Sequence, residues 1–185
     1  MFAIHARYRG REVRRADLVR RSAAALSTLD GVGEFELLGV EDICAVIHSA
    51  QATTDTTMAL LAAGDWAVGI GVSSDETRAR SIAGAALGKH ARSGTVKVRI
   101  DARGAEAAAR ATDVAAVFTL LGHVLAKRSP EGREATSLMR SGLNQNEAAK
   151  ELGISKQAMS QRLQAAGWQA ETAGWELAVH MLERA

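Results

Sequence analysis

Lys156, Gln157, Ser160 and Gln161 recur at a spacing that gathers them on one outer face of a helix. Glutamine can bond an adenine edge through two hydrogen bonds, lysine can reach guanine or a phosphate, and serine accepts several partners. Arg162 lies further round, where a guanidinium suits a phosphate better than a base edge. Met159 and Leu163, four apart, supply the opposite, apolar side. No acid occurs between Leu152 and Glu171, so Lys156 and Arg162 give the segment a local charge of +2. The chemistry this implies is readout of double-stranded DNA in the major groove by a helix running over 155–166, with Ser155 as its cap.

Such a helix needs a second one to press it against the groove, and the preceding residues are suited to that. Asn144 with Glu147 three positions later has the form of a capping box, and Ala148 and Leu152 supply an inward stripe. Gly153 then provides the left-handed turn, and Ile154 plugs the junction. Ala135, Leu138 and Met139 predict a further helix before these, stopped by Gly142 and bounded upstream by Pro130, the chain's one proline. Trp175, Ala178, Val179 and Leu182 share a stripe of a last helix that closes this unit or contacts a second copy. Trp168 reads as a lid on the core. The spacing therefore predicts an all-α helix-turn-helix unit over 131–185.

The first hundred residues have a different pattern. Short apolar stretches, Met1–Tyr8, Glu34–Leu38, Ile43–His48 and Trp66–Val72, predict strands. Between them lie an arginine-rich helix with Leu18, Ala25, Leu26 and Leu29 inward, and a helix over Thr53–Ala63 capped by Thr54 or Asp55. The order strand, helix, strand, strand, helix, strand is that of a ferredoxin-like α+β domain, with an antiparallel sheet covered by helices on one face. A small-residue helix over Ser81–Lys89 and a late strand over Thr95–Ile100 follow. The alanine-rich stretch Asp101–Ala111 reads as a linker, and an amphipathic helix then begins at Thr112-Asp113, with Val114, Val117, Phe118, Leu121 and Leu125 in one stripe. The expected division is 1–110, a connecting helix over 111–130, and 131–185.

Net charge is only +2, but it is distributed in blocks. Residues 1–21 carry seven arginines against Glu12 and Asp17, residues 22–77 carry nine acids and no lysine or arginine, and residues 78–110 return to +6. These blocks can pair with one another in the fold, or the basic ones can meet phosphate. Residues 131–185 sum to −1, so that unit alone should bind DNA weakly.

Several chemistries find no support. Cys44, the single cysteine, excludes an internal disulfide and reads as a buried strand residue. The histidines at 5, 48, 90, 123 and 180 lack ligand spacing, Ser73 and Ser74 lack a nucleophile elbow, and no lysine-bearing glycine loop is present. Gly69-Ile-Gly71 lies within a strand and lacks a third glycine, so close backbone packing explains it better than a dinucleotide. No unbroken apolar run reaches the ~18 residues of a membrane span, and the N-terminus lacks a signal peptide's apolar core, which predicts a cytoplasmic, nucleoid-associated protein.

The segment Glu147–Leu163 resembles the helix-turn-helix of many bacterial transcription regulators and the promoter-reading region of sigma factors. Over nearly its full length the chain resembles SatD-like bacterial proteins, through Phe2-Ala-Ile-His-Ala6, Gly39-Val-Glu-Asp42, Val68-Gly-Ile-Gly71 and the terminal helix-turn-helix. The N-terminal half is in turn similar to nucleotidyl-cyclase domains. In those, an aspartate on the first strand and an acid in the hairpin hold two metal ions on a nucleotide triphosphate. Here His5, Ala6 and Arg7 stand on the first strand while Glu41 and Asp42 remain in the hairpin. The resemblance thus implies a domain that has lost its chemistry and serves as a dimerisation platform or sensor.

Together these readings predict a dimeric transcriptional regulator with no catalytic residue, metal or cofactor, partnered by double-stranded DNA, with no membrane and with room for a small-molecule or nucleotide effector. Its DNA-contacting residues would be Ser155, Lys156, Gln157, Ser160, Gln161 and Arg162. The alternatives are a nucleotide-processing, cyclase-like enzyme using Glu41 and Asp42, and a chromosome-associated protein or interaction adaptor without sequence preference.

Overall fold

Period-two alternation makes Phe2–Tyr8 a strand, β1, whose Phe2, Ile4, Ala6 and Tyr8 all enter the main core. The computed structural model describes residues 1–185. β1 lies at the centre of a five-stranded sheet of order β2-β3-β1-β4-β5, with β2 Glu36–Leu37, β3 Asp42–Ile47, β4 Trp66–Val72 and β5 Val96–Ile100. The register sets Ile4 opposite Ala45 on β3 and opposite Ile70 on β4, both antiparallel. β5 runs parallel to β4, with Val96 beside Val68 and Ile100 beside Val72. The protein is α+β, and the sheet expected to be antiparallel is mixed.

Helices cover both faces, contrary to the expectation of one. α1 (Arg15–Leu26), α2 (Ala50–Ala63) and α4 (Ala105–Ala126) pack on the face of Ile4 and Ile70. α3 (Glu76–Leu87) lies on the other, where Ala79 and Ala83 meet Ala3 and Val46. This contact depends on the two glycines of β4. A Cβ on Gly69 would sit 2.3 Å from the Ala83 carbonyl oxygen, and one on Gly71 would sit 2.1 Å from that of Ala79. Close packing is therefore the role of Gly69-Ile-Gly71. Backbone cannot yield as a side chain can, so Gly71→Ala is expected to cost at least about 1–3 kcal/mol, seen as a lower urea midpoint with an unchanged slope.

Several helix boundaries differ from expectation for local reasons. α2 starts at Ala50, capped by Ser49, whose hydroxyl accepts from the Ala52 amide at 3.0 Å. The threonines that resemble caps bond backwards instead, Thr53 to Ser49, Thr54 to Ala50 and Thr57 to Thr53, which lets them sit buried inside the helix. α3 begins at Glu76 under an Asp75 cap, five residues before Ser81. α1 turns Val19, Ala23 and Leu26 inward; Ala25 is exposed, and Leu29 lies beyond its end. The strand expected at 34–38 shrinks to Glu36–Leu37, leaving Leu37, Leu38 and Val40 exposed.

Asp101–Ala111 is not a linker. From Ala105 it is the first part of α4, because alanine is the strongest helix former and Ala107 and Ala111 are buried. Further along α4, Val114, Val117, Phe118, Leu121 and Leu125 are all buried in the main core. α4 is long and apolar enough to cross a membrane, with a mean hydropathy of 1.3 over its most apolar window, although no unbroken apolar run is. Its apolar stripe is used within the fold.

Four further helices follow: α5 Pro130–Arg140, α6 Gln145–Glu151, α7 Lys156–Ala165 and α8 Trp168–Glu183. α5, α6 and α7 form a small second core around Ala135, Ala148, Ala149, Met159 and Leu163. α8 belongs to both cores. Its first residue, Trp168, packs on the small one, while Ala178 and Leu182 enter the main core. Trp175 and Val179 also pack against that main core, so the stripe of α8 closes the chain on itself.

Candidate nucleic-acid interface

The helix α7 is anchored by one face and presented by the other. Met159 is 0% exposed and Leu163 6%, both within the small core, whereas Lys156, Gln157, Ser160 and Gln161 are exposed. The Ser155 hydroxyl caps the helix, accepting from the Ala158 amide at 3.1 Å. Four residues, Leu152–Ser155, separate α6 from α7, and Gly153 at φ +63° supplies the left-handed step that a side chain would resist. Ile154 packs against the small core at the junction. α6 is fixed by a capping box, in which the Asn144 side chain accepts from the Glu147 amide and the Glu147 carboxylate from the Asn144 amide at 2.8 Å.

The fold adds residues that the spacing did not reveal. Gln145 at the start of α6 donates to the Lys156 carbonyl at 3.4 Å, placing a further amide side chain at the head of α7. Arg162, half-buried, shares a shallow groove with Lys127 and Glu131. Lys127 is 35 positions earlier in sequence, so no local pattern could pair it with Arg162. Glu131 is held below the usual carboxylate range by its own backbone amide, then by the Ser129 hydroxyl, with Arg162 adding a little.

A buried ion cluster fixes how this surface sits on the rest of the chain. Arg128, just beyond α4, is 6% exposed and Glu171 in α8 is 5% exposed. The Arg128 guanidinium donates to the Glu171 carboxylate, to the Ala166 carbonyl at the end of α7 (2.8 Å) and to the Thr136 hydroxyl of α5 (3.4 Å). Arg140 of α5 closes on the same carboxylate through two nitrogens at 2.8 and 3.2 Å. Elements α4, α5, α7 and α8 thus meet at one desolvated node.

The charge blocks largely pair with one another. Asp42 accepts from Arg7 Nε at 2.7 Å and lies 2.7 Å from His5 Nε2, while Glu41 is paired with Arg9 and Arg15. Arg80 joins Glu36 and Glu76, and Arg78 joins Asp101. Asp101 is held below its ordinary range by hydrogen bonds from Arg78 and then from Ser73. No cluster of three or more metal-ligating side chains occurs. Lys97, Arg99 and Arg103, on β5 and just beyond it, have no acidic partner. They lie at the far end of α4 from α7, about 30 Å away at the rise of an α-helix. Cys44 is buried, and burial pushes its thiol above the ordinary range.

Comparison with protein-family models, with curated proteins and with solved structures returns no match to this chain.

Proposed function

We propose that this protein is a DNA-binding transcriptional regulator in which α6 and α7 form a helix-turn-helix. The single observation carrying this is α7 itself. Its Met159 and Leu163 lock it to a core while Lys156, Gln157, Ser160 and Gln161 present base-reading chemistry on the exposed face. Ser155 and Arg162 take phosphate, and Lys127 reinforces Arg162. The sheet order β2-β3-β1-β4 supports the ferredoxin-like reading of the first domain, with β5 as an added parallel edge strand.

A second copy supplies the second recognition helix. The exposed Leu37, Leu38 and Val40 around the β2–β3 hairpin, or the exposed Leu120 on the connecting helix α4, offer apolar surface for that contact. Such a protein works on the nucleoid in the cytoplasm, without a cofactor.

The test is binding of the full-length protein to genomic DNA fragments across a salt series. Tight binding to selected fragments is the expected result; equal, steeply salt-dependent binding to all of them would mean a backbone-reading chromosomal protein instead.

The enzyme alternative rests on Glu41 and Asp42. Each carboxylate already serves two basic side chains, and α3 covers the sheet face that carries His5, which supports a domain without phosphoryl-transfer chemistry. Incubation with nucleoside triphosphates and magnesium or manganese should give no product. Turnover that disappears in Asp42→Ala would overturn this.

A further inference from the structure

One cavity lies where the two cores meet. It is a half-open cleft of about 580 Å³ between α2, α4, α5 and α8, within the ~300–1,000 Å³ of small-ligand sites. Its walls are apolar: Met58, Ala59 and Leu125, with the indoles of Trp168 and Trp175. Three charged side chains reach it, Asp55, Glu171 and Arg140. Glu171 is engaged by both Arg128 and Arg140, and of these Arg140 alone reaches the cleft. Asp55 is different. It accepts the Trp175 indole N–H at 2.6 Å and, at the exposed rim of the cleft, has no basic partner.

We infer that this cavity binds an amphipathic organic cation, an aromatic or alkylated ammonium or phosphonium compound of drug-like size. An apolar wall rewards the hydrocarbon part, and two tryptophans with an adjacent carboxylate stabilise a positive charge that keeps few of its waters. An anion would face the Asp55 carboxylate and find both nearby guanidiniums, Arg128 and Arg140, already held by Glu171. The cavity also has a mechanical position. Arg140 and Trp168, which line it, touch respectively the node that holds the end of α7 and the small core that anchors α7. A ligand that displaces either side chain shifts the recognition helix relative to the sheet domain. This coupling rests on the DNA-binding reading; the site does not.

The probes are tetraphenylphosphonium and tetraphenylborate, matched in size and opposite in charge. Each is titrated into the full-length protein and followed by indole fluorescence and calorimetry. The phosphonium should saturate at one site and bind at least about tenfold more tightly than the borate, because only it gains the carboxylate and cation–π terms. Asp55→Asn keeps an oxygen to accept the Trp175 N–H but removes the charge, and should weaken the phosphonium about tenfold without a change in melting temperature. Ala59→Phe, at an exposed position of α2, fills the cavity and should abolish binding whatever happens to Asp55→Asn. Equal affinity for the two ions, tighter borate, no binding of either, an Asp55→Asn protein that binds the phosphonium as tightly as the parent, or an Ala59→Phe protein that still binds would overturn the site. DNA affinity measured with and without the phosphonium then tests the coupling. An unchanged value overturns the coupling alone, and no DNA binding in any condition overturns the regulator reading while the titration still decides the site.

Discussion

The Gln157→Ala/Gln161→Ala protein is expected to bind selected and random DNA with nearly the same affinity, while the parent prefers its selected fragments strongly. Both side chains are exposed and make no hydrogen bond within the chain, so their removal leaves the fold intact. Alanine is also the better helix former, so α7 should be slightly stabilised. A bidentate contact between an amide side chain and adenine contributes about 1–3 kcal/mol of discrimination, roughly tenfold per 1.4 kcal/mol. The pair together should therefore remove on the order of a hundredfold preference, read as the ratio of dissociation constants at fixed salt. Arg162→Ala serves as the contrast. It should weaken all fragments alike and lower the slope of log affinity against log salt by about one. If the double variant keeps its preference, α7 is not the reader.

Glu171→Ala is the substitution expected to damage stability most. It leaves the Arg128 guanidinium, whose side chain is 2% exposed, buried without a counter-charge. Removing one partner of a buried pair costs about 3–5 kcal/mol, which is a large share of the roughly 5–15 kcal/mol that holds a typical protein folded. Chemical denaturation should show this as a fall in midpoint. Arg140→Ala should cost much less, because Arg140 is 43% exposed and solvent already screens it. Combining Arg128→Met with Glu171→Leu should recover most of the loss, since two apolar side chains need no desolvation. A Glu171→Ala protein as stable as the parent would mean that the node is hydrated and structurally unimportant.

Elements governed by short-range chemistry were legible in the sequence. β4 follows from its apolar run between turn signals, the inward stripe of α4 from its periodicity, and the faces of α7 from the spacing of Met159 and Leu163. The caps at Asn144 and Ser155 were also readable, because a cap is settled within four residues. Errors arose where one residue type has two local uses. Threonines mark a helix start or bond back inside a helix, and only packing against the sheet decides which at Thr53 and Thr54. Alanine runs suit a linker or a closely packed helix, and the neighbouring β5 selected the helix at 105–111. Arg128 and Glu171 left no signal at all. They are 43 positions apart, and Glu171 in the first turn of α8 looks like an ordinary dipole-favoured acid. The cavity beside them is equally invisible, since its lining comes from α2, α4, α5 and α8.

The sharing of α8 between the two cores has a consequence for how this chain can be rearranged by recombination. A piece cut at the turn before Pro130 would carry away the helix that seals Val114, Phe118 and Leu121 from water, and would itself bear Ala178 and Leu182 uncovered. Neither half is a portable part, and a gene fusion that borrowed only the last fifty-odd residues would inherit a sticky helix together with α7. α7 and the sheet domain are therefore packed as one unit, although the path of the chain alone suggests two.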